Sequence, residues 1–121
     1  MIPTPFDVST KESENGVCVI TIRGELDMNT APELESSLQS LTSAPQTAVL
    51  IDLSDCEFID STGVALIVQA WQRLDREAQG DGRLVLCCPA SQVRRLLDIT
   101  GVENSITVHD SFDNALADLR S

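Results

Sequence analysis

The chain has 121 residues, of which 42% are hydrophobic and 22% are charged, values typical of one globular domain and unlike a disordered chain or a disulfide scaffold. Its 19 acidic and 8 basic side chains give a net charge of -11, and the basic ones are scattered, so we expect no nucleic acid partner. The longest uncharged apolar run, residues 61–72, is about half of a membrane span, and the N-terminus does not resemble a signal peptide. These features predict a cytoplasmic protein without a membrane span.

Short β-type runs and longer helix-type runs alternate along the chain, which predicts an α/β domain. Residues 6–12 form a weak strand pattern, Asn15-Gly16 is a turn signal, and the β-branched residues 17–22 predict a strong strand. A hairpin is the local interpretation. Local signals leave open whether the first strand pairs with the second or borders another strand.

The first predicted helix follows this strand. Thr30 and Glu33 have the spacing of a capping box, and Pro32 suits the first helical turn, so a helix should run to about Leu41. Residues 47–53 are continuously apolar, which is typical of a strand that is covered on both faces.

The second predicted helix extends from Thr62 to about Ala78. Its apolar residues recur at helical spacing and define one stripe that should pack on the sheet. The turn residues Gly80-Asp81-Gly82 come next. The stripe consists of Val64, Ile67, Val68, Trp71 and Leu74.

The C-terminal part continues the alternation. Residues 83–88 predict a fourth strand, Ser91 is a candidate cap for a helix that Gly101 would terminate, and residues 106–108 predict a short fifth strand. A last helix should begin at Asp110 or Ser111 and turn Phe112, Ala115, Leu116 and Leu119 inward.

These segments predict one domain over residues 1–121, with a mixed and mostly parallel sheet of about five strands and about four helices. Cys18, Cys56, Cys87 and Cys88 include no C-x-x-C spacing, so they are interpreted as buried small hydrophobic residues. We therefore expect no metal and no cofactor.

The loops that follow parallel strands emerge at one edge of a sheet, where ligands and partners usually bind. Three such segments are residues 25–30, 53–63 and 89–91. The middle segment places Ser61 at the start of the most apolar helix, beside unpaired backbone N–H groups. The alternative to a functional role is that Ser61 merely caps the helix, since serine is a preferred capping residue.

Neighbouring residues favour a functional role. Gly63 is a poor helix former that would leave room for a partner, and Asp27 and Asp60 add carboxylates at the same edge. A phosphoryl group on Ser61 would add about 1.5 to 2 negative charges near these carboxylates. The local surface would then change sharply while the fold survives.

Two stretches resemble the signature segments of anti-sigma factor antagonists of the STAS domain family. The first is Gly24-Glu25-Leu26-Asp27 followed by residues 30–34, and the second is residues 51–54 followed by residues 58–64, which read FIDSTGV. The resemblance covers nearly the whole chain and includes the order of elements. It implies a STAS-like fold and a role as a binding switch and not as an enzyme.

In such proteins the unphosphorylated form binds an anti-sigma factor that is also a serine kinase, and this frees a sigma factor. The kinase then phosphorylates a serine of the antagonist, and a serine phosphatase later removes this phosphate. The resemblance assigns the acceptor to Ser61, a possible secondary acceptor to Thr62, and a loop-ordering role to Asp52. It assigns the partner surface to Asp27, Met28, Asn29, Thr30, Asp60, Ser61, Thr62, Gly63 and Val64.

Three alternatives to this role concern the same residues. A serine hydrolase is disfavoured because His109 lies past the last strand and no G-x-S-x-G motif surrounds Ser61. A receiver domain with Asp52 as acceptor would need a late lysine, whereas the only lysine is Lys11. A STAS regulatory module of a stress-signalling or lipid-transport complex keeps the fold and stays open.

Overall fold

The computed structural model describes residues 5–12, 16–42, 48–77 and 82–120. These ranges contain a six-stranded sheet, four α-helices and one 3-10 turn, Val102–Asn104. The strands are β1 (Asp7–Glu12), β2 (Val17–Leu26), β3 (Ala48–Asp52), β4 (Cys56–Ile59), β5 (Arg83–Cys87) and β6 (Val108–His109). The helices are α1 (Ala31–Thr42), α2 (Ser61–Glu77), α3 (Ser91–Thr100) and α4 (Phe112–Arg120).

The sheet is mixed and mostly parallel, as predicted. Its strand order is β1-β2-β3-β5-β6, and β4 pairs with β2 outside this path. Only β1 runs antiparallel to its neighbour in the described sheet, and its register with β2 extends from Asp7↔Arg23 to Glu12↔Cys18. The first two strands therefore form the hairpin that the local signals favoured. Gly16 has a φ of +78°, and Asn15 lies outside the described residues.

Strand β4 was not predicted, because residues 53–63 were interpreted as one loop. It pairs in parallel with the second half of the ten-residue strand β2, beyond the part that pairs with β3. The register shifts after Gly24, whose φ is +86° and whose N–H donates to the Asp55 carbonyl oxygen at 3.0 Å. The four residues of β4 carry little local signal. Their conformation depends on the free edge of a strand that is distant in the sequence.

The two faces of the sheet are covered unequally. Three helices, α1, α2 and α3, pack on one face over the larger core cluster, and α4 packs on the other face over a smaller one. Side chains alternate between the faces along each strand. In β3, for example, Val49 and Ile51 belong to the larger cluster and Leu50 to the smaller one.

Most helix boundaries agree with the sequence within a residue or two, but two caps differ. The residue before α3 is Ala90, which makes no side-chain capping bond, and Ser91 is the first helical residue, so the predicted Ser91 cap is wrong. Gly101 ends α3 with a φ of +77°, as predicted. Ser111 precedes α4, and its Oγ accepts the Asn114 N–H at 3.1 Å. Of the two proposed starts, Ser111 therefore provides the cap.

Other predictions hold in part. Cys18, Cys56 and Cys87 are buried, whereas Cys88 is half-buried. The strand predicted for residues 106–108 is shifted, because Ile106 is buried beyond the 3-10 turn and β6 contains only Val108 and His109. Ala78, Gly80 and Asp81 lie outside the described residues. Within the described ranges, no helix is both long enough and apolar enough to cross a membrane.

Candidate functional site

Two of the three segments predicted to converge are brought together by the pairing of β2 with β4. Leu26 and Ile59, which end these strands, are partners in the parallel register. The Asp60 N–H donates to the Leu26 carbonyl oxygen at 3.1 Å, which extends the pairing by one residue. The loop that begins at Asp27 and the helix that begins at Ser61 therefore start side by side.

Ser61 is the first residue of α2 and its side chain is exposed. Asp60 caps the helix: its Oδ1 accepts the Gly63 N–H at 3.0 Å, and its carbonyl oxygen accepts the Val64 N–H at 3.1 Å. An aspartate is among the residues preferred in this position. Because Asp60 supplies the cap, the fold does not require the Ser61 hydroxyl for that purpose.

Gly63 was expected to leave room for a partner at the surface, but it faces inward. It is buried, and a Cβ at this position would lie 2.8 Å from both Ile59 Cγ1 and Leu26 Cγ. The missing side chain lets the first turn of α2 lie directly on the ends of β2 and β4. Val64 is also buried, with 6% exposure. Both residues thus hold Ser61 and Thr62 in place from beneath.

The loop before α1 is organised by reciprocal bonds between Asp27 and Thr30. The Asp27 N–H donates to Thr30 Oγ1 at 2.9 Å, and Asp27 Oδ1 accepts the N–H groups of Asn29 at 2.9 Å and Thr30 at 3.1 Å. The capping box predicted between Thr30 and Glu33 is replaced by this pair, because the chain makes an additional turn before α1. Met28, 71% exposed, projects from the turn beside the exposed Asn29.

The third predicted segment, residues 89–91, also meets the middle one. Ala90 lines a surface pocket of about 260 Å³ together with Arg23 and with four residues of segment 53–63, namely Ser54, Asp55, Cys56 and Glu57. Ser61 does not line this pocket. The third segment therefore meets the N-terminal part of the middle segment, whereas the loop at Asp27 meets its C-terminal part.

Comparison with known proteins agrees with this architecture. The family model of the STAS domain matches residues 9–115. The chain belongs to the STAS domain family. The predicted resemblance to anti-sigma factor antagonists is confirmed as well, since the related proteins carry that name.

Three similarities illustrate the relationship. The anti-sigma-F factor antagonist RsfB of Mycobacterium tuberculosis is 27% identical over 92% of this STAS chain and 88% of its own. An anti-sigma-B factor antagonist of Listeria monocytogenes is 31% identical over 85% of this chain and 88% of its own. The crystal structure of an anti-sigma factor antagonist from Mycobacterium paratuberculosis superposes with a TM-score of 0.87 at 27% identity, covering 97% of this chain and 96% of that one.

Two further polar residues of this STAS domain lie away from Ser61. Asp52 ends β3, and its Oδ1 accepts the Ser54 N–H at 3.0 Å at the start of the connection to β4. His109 Nε2 lies 2.9 Å from Asp118 Oδ2 on α4, on the face opposite to α2. The arrangement therefore pairs the histidine with a carboxylate of α4, and not with the serine that a hydrolase would need.

Proposed function

We propose that this STAS domain is an anti-sigma factor antagonist that works as a phosphorylation switch. Its unmodified form binds an anti-sigma factor with serine kinase activity and so frees a sigma factor. Phosphorylation of Ser61 by that kinase ends the binding, and a serine phosphatase restores it, a cycle that we assign to the cytoplasm. The observation that carries the proposal is the exposed Ser61 side chain at the start of a helix that Asp60 already caps.

The electrostatics of the helix start support a switch of this kind. A helix N-terminus attracts negative charge, and the Asp60 carboxylate already accepts the Gly63 N–H there. A phosphoserine at position 61 would add about 1.5 to 2 negative charges directly beside that carboxylate. Its hydration and its repulsion of nearby carboxylates oppose close approach of a partner. Because the Ser61 side chain is exposed, the fold loses no packing when it is modified.

The residues around Ser61 divide into two groups in this proposal. Met28 and Asn29 are exposed and Thr62 is half-buried, so these three can contact the anti-sigma factor directly. Gly63 and Val64 are buried and act by positioning the first turn of α2. The net charge of -11 favours a partner with a positive face, chiefly through the association rate and selectivity.

The proposal is tested by a pull-down from native cell extract in the presence of ATP, followed by mass spectrometry of the bait and its partners. We expect a kinase to be captured and phosphate to be found on Ser61. Ser61→Ala should keep the kinase bound and take up no phosphate. Ser61→Asp should bind more than about a hundredfold more weakly in calorimetry, which corresponds to about 3 kcal/mol.

Ser91→Asp is the matched control, because Ser91 is likewise the exposed first residue of a helix, α3. It adds the same charge at an equivalent helix position and should leave kinase binding unchanged. Circular dichroism should be alike for all variants. Phosphate on Thr62 instead of Ser61, or tight kinase binding by Ser61→Asp, would contradict the proposed switch.

A further inference from the structure

The carboxyl ends of β3 and β5 carry a side-chain cluster that the switch does not use. Asp52 ends β3, Cys87 ends β5 and Cys88 follows it, and one ligand atom of each lies within 4.8 Å of the others. We propose that Asp52, Cys87 and Cys88 bind a thiophilic divalent cation, with Zn²⁺ as the best match.

The pairing of the strands explains why Asp52 and Cys87 meet. They are direct partners in the parallel register of β3 and β5, so their side chains leave the sheet on the same face. That face is the one covered by α4, since Cys87 belongs to the smaller core cluster.

The backbone of Cys88 brings the second thiol to the same place. In a continuing strand, the side chains of Cys87 and Cys88 would point to opposite faces. Cys88 instead has a φ of +60°, the one non-glycine residue with positive φ in the described part of the chain. Its N–H donates to the His109 carbonyl oxygen at 2.9 Å, and the Leu53 N–H donates to the Cys87 carbonyl oxygen at 3.0 Å. This conformation is unfavourable for a side chain with a Cβ, and such strain is concentrated at functional sites.

The donor atoms suit zinc in kind and number. Two sulfur atoms and one carboxylate oxygen are ligands that Zn²⁺ accepts in tetrahedral sites, with a fourth position for water or a partner's ligand. Sulfur donors disfavour Mg²⁺ and Ca²⁺, which prefer oxygen. The bond from the Ser54 N–H to Asp52 Oδ1 fixes the orientation of the carboxylate, as a supporting residue does in metal sites.

The Asp52 carboxylate lies next to the two thiols, so the cluster offers one acidic oxygen and two sulfur atoms to a single ion. A bound divalent cation stabilises the thiolate form of its cysteine ligands. On binding, each thiol releases its proton to the solvent and its sulfur bonds to the ion.

The site is separate from the surface around Ser61. The buried residues of α2 pack on the opposite face of the sheet, in the larger core cluster. Metal binding and Ser61 phosphorylation can therefore be measured independently.

The test is a titration of the reduced, metal-free protein with Cd²⁺, followed by the sulfur-to-metal charge-transfer absorption, and with Zn²⁺, followed by calorimetry. We expect one ion per chain. Cys88→Gly removes a donor and relieves the positive φ, so the variant should fold and bind more than about a hundredfold more weakly. Asp52→Asn should bind about tenfold to a hundredfold more weakly.

Two controls remove the same groups from other positions. Cys18→Ala deletes a buried thiol on the other face, and Asp55→Asn neutralises an exposed carboxylate in the β3–β4 connection. Both should bind within about twofold of the parent protein. An absence of charge-transfer absorption at millimolar Cd²⁺, or equal binding by Cys88→Gly and the parent protein, would overturn the proposal.

Discussion

The two faces of the sheet position their functional groups in different ways. On the face covered by α1, α2 and α3, Ser61 is placed by residues next to it in the sequence, mainly the cap at Asp60 and the buried Gly63. On the face covered by α4, Asp52 and Cys87 meet because β3 pairs with β5. A contiguous motif therefore reports the first kind of site, whereas the second kind depends on sheet topology.

The difference in coverage has a physical consequence. The larger cluster consists of aliphatic side chains together with Cys18 and Cys56, and Ser61 lies exposed outside it. Among the described residues one helix, α4, covers the other face, and several polar side chains near the strand ends there are partly accessible. Asp52, Cys88 and His109 are all half-buried there.

The largest effect on stability is expected for Gly63→Ala. A Cβ 2.8 Å from Leu26 Cγ and Ile59 Cγ1 forces α2 away from the strand ends, which should lower the free energy of unfolding by about 2 kcal/mol. The better helix propensity of alanine, worth about 1 kcal/mol, offsets only part of the strain. Urea unfolding followed by the fluorescence of the half-buried Trp71 measures the change.

Ala65→Gly is its matched control at an exposed position of the same helix. It should cost about 1 kcal/mol through propensity alone. A Gly63→Ala variant as stable as the parent protein would show that the close contact with β2 and β4 is not required.

A smaller effect is expected for Asp27→Ala. This change removes the oxygen that accepts the N–H groups of Asn29 and Thr30, so the free energy of unfolding should fall by about 1 kcal/mol. Glu25→Ala, at an exposed side chain two residues earlier, should change it by less than about 0.5 kcal/mol. Urea unfolding measures both variants. Equal losses of unfolding free energy would show that the Asp27 carboxylate has no structural role.

The smallest effect is expected on the α4 face, for Asp118→Asn. Hydrogen bonds from Arg83 and His109, with the charges of both, lower the pKa of the Asp118 carboxyl group. Because the pKa is depressed in the folded state, the stabilisation is present at neutral pH and is lost as the pH falls below about 4. Arg83 is 42% exposed, so the loss at pH 7 should be under about 1 kcal/mol.

Unfolding free energies at pH 7 and pH 3 check this prediction. The difference between Asp118→Asn and the parent protein should shrink at pH 3, whereas Asp75→Asn, exposed on α2, should differ little at either pH. A difference that persists at pH 3 would mean that the asparagine acts through packing and not through lost charge.

The elements with strong local signals could be predicted from the amino-acid sequence. The β-branched run of β2, the helical stripe of α2 and the terminating Gly101 each act within a few residues, through propensity, periodicity or a positive φ. The same holds for the placement of Ser61 at a helix start, because the apolar stripe of α2 begins directly after it. These features were predicted, and part of the family resemblance rested on residues 58–64, which include Ser61.

The features that depend on distant partners could not be predicted in this way and follow from the folded arrangement. Strand β4 exists because β2 is long enough to offer it a free edge, and Gly63 faces inward because the ends of β2 and β4 lie beneath it. The cluster of Asp52 with Cys87 and Cys88 arises from strand register and from one backbone angle. No spacing rule detects it, because pairing between parallel strands joins residues that are far apart in the chain, and neither residue carries a local signal of its partner.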